Sequence, residues 1–302
     1  MNVLITGGGG YIGSHLAHRL IKRGDNVTLI DNESNCGMPR LLEKNYFIAD
    51  VTNLYQMEQV FAEYSFDAVV HLAANKSMTE DRVLAENLVG TANTFIAANQ
   101  NSAPIFINAS SAAVYGDYDR IVSEIDPCRP TNIYGESKKA AENYLMSASN
   151  SKTKVVNLRF FNVAGSSPIA AFGRRWNEEG VCFITAQQIH NGSPIWLHGS
   201  KEKNAYRDFI HVEDVCAHIE ASIQYNMRER DYICFNVCSG YPVGLEQLAK
   251  TYSEVLGMDW AYEFSHQSAG IHFSCGNNEF TNRMLKVGCL YSLEDIVESS
   301  LI

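Results

Sequence analysis

Two groups of residues in this 302-residue chain have types and spacing that could do chemistry. The first is Thr6-Gly7-Gly8-Gly9-Gly10-Tyr11-Ile12-Gly13, with Gly7, Gly10 and Gly13 three apart. Glycines so placed allow a tight turn, close backbone approach to a diphosphate, and close packing of a helix on a strand. The diphosphate then sits at the positive end of that helix. The spacing alone arises by chance roughly 0.1 times in a chain of this glycine content, so its context must strengthen it. Asp31 follows about 20 residues on, where a carboxylate accepts from an adenosine ribose and repels a 2′-phosphate. Asn32 stands where an NADP site often carries Arg, so the pair favours NAD. The second group is Ser111, Tyr134 and Lys138. Tyr-x-x-x-Lys arises by chance about 0.5 times and is uninformative alone. On a helix, though, it puts the ammonium one turn from the phenol. A tyrosine acts as a base near neutral pH only if its value falls by about three units, which requires about 4 kcal/mol. A nearby lysine and a cationic nicotinamide ring would supply that field, and Ser111 would position the reacting hydroxyl.

Elements that could hold these groups follow from the apolar pattern. Strands are expected at Asn2–Ile5, Asn26–Ile30, Tyr46–Ile48, Ala68–Leu72, Pro104–Ala109, Lys154–Phe160 and Tyr232–Val237. Helices are expected over Gly13–Arg23, Leu54–Glu63, the stretch ending at Asn99, and Ile133–Ser149. Strands alternating with helices of this length imply right-handed crossovers and a parallel sheet covered on both faces. The glycine loop then joins the first strand to the first helix, and Ser111 lies just past the fifth strand. Later helices are expected near Phe183–Asn191, His211–Gln224, Gly244–Leu256 and Ser292–Leu301, with a loop over Gly165–Gly180. The fold class is α/β: a Rossmann-type doubly wound parallel sheet with a smaller C-terminal α/β substrate-binding region. The division places 1–161 and about 210–242 in the NAD-binding domain, and 162–209 and 243–302 in the substrate-binding region.

Composition narrows the partners. The formal charge is −10 and no dense Lys/Arg block occurs, which argues against nucleic acid. No apolar stretch approaches the roughly 20 residues of a membrane span, and no signal peptide is visible, so a cytoplasmic protein is expected. The eight cysteines are scattered with no Cys-x-x-Cys pair, as expected of reduced thiols. Cys234 and Cys238 read as buried small hydrophobes, and His15 and His18 as solvated helix residues rather than metal ligands. No metal is expected.

Further motifs extend the pattern: Asp50-Val51, His71-Leu72-Ala73-Ala74, Asn87–Thr91, Ser110–Gly116, Arg159-Phe160-Phe161-Asn162, Arg207–Val215 and Phe235-Asn236-Val237. In this order, over nearly the whole chain, they resemble the extended short-chain dehydrogenase/reductases, and within them the NAD-dependent sugar-nucleotide epimerase/dehydratase group. The resemblance implies that Gly7, Gly10, Tyr11, Ile12 and Gly13 cradle the cofactor diphosphate. It places Asp31, Asn32 and Asn35 on the adenosine ribose and Asp50 and Val51 beside the adenine. Leu72, Ala73, Ala74 and Lys76 would lie along the nicotinamide half, with Tyr134 and Lys138 on its ribose, and Phe161 would also meet the cofactor. The substrate, a nucleotide sugar with UDP favoured, would meet Lys76, Ser111, Tyr134, Asn162 and Arg207. A homodimer is common in the family.

The resemblance also bears on the reaction. Dehydratases of this group carry acidic residues directly after the active-site Ser or Thr, whereas here Ala112 and Ala113 follow Ser111. What remains is epimerisation, most similar to that of the 4-epimerases, by transient oxidation to a keto-sugar and return of hydride to its other face. An NAD(P)H-dependent ketoreductase would use the same three side chains. An inactive NAD-binding scaffold is disfavoured by their joint presence. One departure stands out. The family's C-terminal Arg-x-Gly-Asp segment aligns with Gln267-Ser268-Ala269-Gly270, which offers no cation for a diphosphate. Either Arg207, His266 or His272 then carries more of that contact, or the substrate is atypical. Ser274, small where 4-epimerases vary, is expected to admit a C2-acetamido or otherwise bulky sugar.

Overall fold

A computed structural model describes residues 1–34, 45–77, 80–167, 180–198, 205–228, 230–265 and 270–301. Six strands of the main sheet come first: β1 (Asn2–Thr6), β2 (Asn26–Asp31), β3 (Tyr46–Ile48), β4 (Ala68–His71), β5 (Ile105–Ser111) and β6 (Lys154–Phe160). Between them lie α1 (Tyr11–Arg23), α2 (Leu54–Glu63), α3 (Arg82–Gln100), a 3₁₀ turn over Ala112–Val114, and α4 (Ile133–Ala148). The remainder is β7 (Asn162–Ala164), α5 (Val181–His190), β8 (Ile195–Leu197), β9 (Tyr206–His211), α6 (Val212–Ile223), β10 (Tyr232–Val237), β11 (Pro242–Gly244), α7 (Leu245–Leu256), β12 (Tyr262–Phe264), β13 (Phe273–Ser274), α8 (Glu279–Leu285) and α9 (Leu293–Ser300).

Seven strands form the main sheet in the order β3-β2-β1-β4-β5-β6-β10, all pairs parallel. The order reverses between β1 and β4, which opens a crevice at their carboxyl ends. Strands buried on both faces read as continuous apolar runs, which is why Val3-Leu4-Ile5 and Val69-Val70 show no alternation. Leu16, Leu20 and Ile219 from α1 and α6 cover one face with Val3, Ile5 and Val70. Met57, Phe61, Phe95 and Leu145 from α2, α3 and α4 cover the other with Leu4 and Val69.

A second, smaller sheet centres on β9, which pairs with β7 and β13 in parallel and with β11 antiparallel. The register sets Ser274 beside Arg207 and Asn162 beside Phe209. A separate apolar cluster of Phe209, Leu248, Tyr252, Ile296 and their neighbours backs this region. Among the described residues, no helix is long and apolar enough to cross a membrane, and no group of three His, Cys, Asp or Glu is placed to hold a metal.

Two details differ from the sequence reading. β5 runs on through Ser111, so this serine is the last strand residue rather than lying just past the strand. His15 is 8% exposed, hydrogen-bonded to the Tyr11 carbonyl and the Ser167 amide, and is not a solvated helix residue.

Candidate active site

The glycine loop lies at the crevice between β1 and β4. Gly7 has φ +68°, a left-handed conformation that costs glycine nothing. A Cβ there would sit 2.8 Å from the Ala73 amide nitrogen, so the loop presses directly against the segment after β4. The α1 N-terminus begins at Gly10 without a side-chain cap, leaving its amides for another acceptor. Asp31 ends β2, and its carboxylate accepts from the Gly9 amide at 2.9 Å, which fixes the loop from below. Asn32 donates to Asp50 at 3.1 Å. Burial would raise the Asp50 carboxyl, but hydrogen bonds from Thr52 and Asn32 reverse that and lower it. Val51 lies against Gly90 of α3. The result is a bare backbone cradle at a helix N-terminus with a carboxylate one strand away. It fits a dinucleotide without a 2′-phosphate. Asn35, Gln267 and His266 lie outside the described residues.

Tyr11 reaches out of this loop and donates to the Gly165 carbonyl at 2.6 Å. Leu72 and Ala73 are half-buried behind Gly7, while Ala74 and Lys76 are exposed at the rim.

The second group meets at the end of β5. Asn132 caps α4 by accepting from the Gly135 amide at 2.8 Å, which sets Tyr134 in the first turn. The helix start comes so close to the residues after Ser111 that a Cβ on Gly135 would lie 2.4 Å from the Ala113 carbonyl. Ser111 accepts from the Ala113 amide and is half-buried. Lys138 is 4% exposed and donates to the Ala109 carbonyl at 2.8 Å. Its ammonium lies 5.8 Å from the centre of the Tyr134 ring. A unit charge about 6 Å from a phenolate oxygen, at an effective dielectric of about 20, would be worth about 3 kcal/mol, or about two of the three pH units a basic tyrosine needs. Burial pushes Lys138 down to about 8, with Glu142 opposing the fall. His71, fully buried between Thr6 and Thr91, is pushed down to about 3 by burial and by Lys138, so it stands there neutral.

Arg207 and Asn162 come from neighbouring strands of the small sheet. Asn162 donates to the Asp208 carbonyl at 3.3 Å and is half-buried. Arg207 donates to the Tyr206 carbonyl at 2.9 Å, and burial lowers its value while Asp117 opposes that. Phe161 is buried against Tyr115, their ring centres 6.3 Å apart. A shallow, solvent-open cleft lies beside Phe161, lined by Ala112, Tyr118, Phe161, Phe273, Ser274 and Cys275 among others.

Three residues quoted only within motifs turn out to hold the site together. Asn87 on α3 donates to Ser137 at 2.8 Å and to the Asn75 carbonyl, tying α3 to the helix that carries Tyr134. Asp208, fully buried, accepts from the Ser239 amide and hydroxyl, the Gly240 and Gly276 amides, and the Cys275 thiol. Arg159 forms a buried two-bond pair with Glu142. Position within a motif was the only signal in the sequence for Asn87, Asp208 and Arg159. Glu142, eight residues after Tyr134, carried none.

Fold and side chains define a dinucleotide-binding sheet with a Ser/Tyr/Lys proton-transfer group at its carboxyl edge. The family model of the NAD dependent epimerase/dehydratase family matches residues 3–238, and the chain belongs to that family. It is an NAD-dependent epimerase. The chain is 31% identical over 301 residues to a probable UDP-arabinose 4-epimerase 3 of Arabidopsis thaliana, covering 89% of this chain and 72% of that one. It is 26% identical over 283 residues to a UDP-glucose 4-epimerase of Halalkalibacterium halodurans, covering 89% and 85%. Among solved structures, a UDP-glucose-4-epimerase from Stenotrophomonas maltophila with bound NAD and formylated UDP-arabinopyranose superposes with a TM-score of 0.90. That pair shares 25% identity over 100% of this chain and 97% of the other.

Proposed function

We propose that the chain inverts C4 of a UDP-activated pentose or hexose, with Tyr134 as the proton carrier. The observation that carries this reading is the Lys138 ammonium held 5.8 Å from the Tyr134 ring, on a helix pressed against the residues that follow Ser111. Gly7, Gly10, Tyr11, Ile12 and Gly13 would hold the NAD diphosphate, Asp31 and Asn32 its adenosine ribose, and Asp50 and Val51 its adenine. Leu72, Ala73, Ala74 and Lys76 would border the nicotinamide half, and Phe161 would also meet the cofactor. Bound NAD supplies the acceptor and donor of hydride.

The chain's own residues do the rest. Ser111 orients the 4-hydroxyl toward Tyr134, whose phenolate takes its proton. Lys138 stabilises that phenolate before the transfer, and the resulting phenol gives its proton back to the 4-oxygen as hydride returns to the other face of C4. Asn162 and Arg207 hold the UDP diphosphate from the small sheet, with 162–209 and 243–302 forming the substrate side. Ala112 and Ala113 leave no acid beside the sugar, which supports epimerisation over elimination. Ser274, a small side chain lining the cleft, supports a sugar with a C2-acetamido group. The relatives supply the pentose and hexose alternatives. The family resemblance supports a homodimer, which sedimentation of the purified chain tests.

The test is NMR product analysis with UDP-arabinopyranose, UDP-glucose and their N-acetyl counterparts, with and without NADH. The expected result is a 4-epimer mixture formed without net NADH consumption. Product formed in proportion to NADH consumed would instead make the chain a ketoreductase. Turnover of plain sugars alone would remove the acetamido extension.

A further inference from the structure

We infer that Glu142 is a positioning residue for the reaction, acting on Tyr134 through Lys138 from within a buried pair with Arg159. The inference rests on the reading of Tyr134 as the proton carrier. Tyr134, Lys138 and Glu142 stand at four-residue intervals on α4 and so share one face of that helix. That face lies against β5 and β6. Glu142 is 5% exposed, and its carboxylate takes four hydrogen bonds. Ser110 Oγ donates to Oε1 at 2.5 Å, Asn157 Nδ2 at 2.9 Å and Arg159 Nε at 3.0 Å, while Arg159 Nη2 donates to Oε2 at 2.7 Å. Ser110 is the immediate neighbour of Ser111, and the preceding carbonyl, Ala109, accepts from Lys138. One carboxylate therefore locks the helix of Tyr134 and Lys138 to the strand end of Ser111.

The same carboxylate stands one helical turn from Lys138 on α4. Around Lys138 stand Tyr134 and Glu142 on its own helix and neutral His71 on β4. Arg159 on β6 approaches Glu142, but its Nη1 turns away to the Tyr115 hydroxyl and the Glu124 carbonyl. Tyr115, Glu124, Cys128, Tyr232 and Cys234 complete the surroundings of the pair. A buried ion pair adds little stability over an apolar pair of the same volume, so stability alone is a weak reason for this one. Burial favours neutral Lys138, and Glu142 is the group that opposes it. Without that anion Lys138 sheds its proton earlier, and the field on Tyr134 goes with it.

The experiment uses purified holoenzyme and three readings: the phenolate ultraviolet titration of Tyr134, taken as a difference from Tyr134→Phe, the pH profile of kcat, and thermal unfolding. Glu142→Gln keeps the shape and loses the charge. It is expected to raise the Tyr134 titration and lower the alkaline limb of kcat by about one pH unit each, with kcat at neutral pH down about tenfold and KM unchanged. Glu142→Asp keeps the charge and is expected to hold both titrations within about 0.3 unit of the parent. If Glu142→Gln does not fold, Glu142→Gln/Arg159→Gln removes the unpaired guanidinium and is read the same way. Equal loss of thermal stability in the Gln and Asp variants with both titrations in place would overturn the inference. The phenolate titration uses no sugar. A displaced titration in a chain that turns over no UDP-sugar would therefore refute the proposed function and leave the role of Glu142 standing.

Discussion

The two sheets are each proposed to meet a diphosphate, and they are built for it in opposite ways. At the main sheet the contact is backbone. Gly7 sits against Ala73, Gly9 is tied to Asp31, and the first amides of α1 are uncapped. At the small sheet it is a side chain, Arg207, on a strand fixed by the buried carboxylate of Asp208. Five donors from Ser239, Gly240, Cys275 and Gly276 converge on that carboxylate and join the loop after β10 to the segment after β13. A backbone cradle tolerates almost no change in volume but carries no charge of its own. A side chain on a hydrogen-bonded hub carries charge and depends on distant segments meeting. The first should fail by steric exclusion and the second by loss of affinity.

The largest effect should fall where the two ligands meet. Tyr134→Phe removes only the phenol hydroxyl, so the fold and NAD retention should persist while kcat falls by about 10³-fold or more. Near-normal turnover in that variant would remove Tyr134 as the base. Next is Gly13→Ala, whose Cβ would lie 2.2 Å from the Gly7 carbonyl and 2.9 Å from Gly8 Cα. Overpacking there should cost about 3 kcal/mol and leave purified protein without NAD, read by denaturant unfolding and absorbance. A Gly13→Ala protein that keeps its cofactor would show that the loop is more yielding than its contacts imply.

This contrast also explains what the sequence disclosed. The glycine loop, Asp31 and the Tyr-x-x-x-Lys pair are local, each set by a spacing within one turn or one crossover, so they were legible along with the strands that hold them. The small sheet was not. Of its strands, β7, β11 and β13 have two or three residues each, too short for any alternation to register. Asp208 and Glu142 act through partners 15 to 68 residues away. His15 reads as solvated from the sequence for the same reason: the Ser167 amide that bonds it lies 152 residues along the chain.

Arg207→Gln probes the side-chain half of the contrast. Losing a charge-assisted contact to a phosphate should raise KM for the UDP-sugar by about 10- to 100-fold, with NAD retention unchanged. Asp208→Asn keeps the volume but turns a donor toward the converging amides, and should raise KM about fivefold through Arg207. An equal loss of NAD in either variant would erase the distinction between the two sheets.

The smallest predicted effect places both sheets on one scale. His71 at the end of β4 is pushed down to about 3 by burial and Lys138. His211 at the end of β9, stacked 4.0 Å from the Tyr291 ring, is pushed down to about 4 by burial and by His15. Both values lie below that of an exposed histidine, so the unfolded chain binds protons that the native chain refuses. Stability is therefore full above about pH 6.5 and falls as pH drops, until each native value is reached. Between pH 7 and pH 6 each histidine should cost about 0.7 kcal/mol, measured by denaturant unfolding across that range. His71→Gln should remove only the His71 share. His211→Gln should remove only the other. A slope unchanged in both variants would mean that neither histidine governs the acid limit, and that the carboxylates of the surface do.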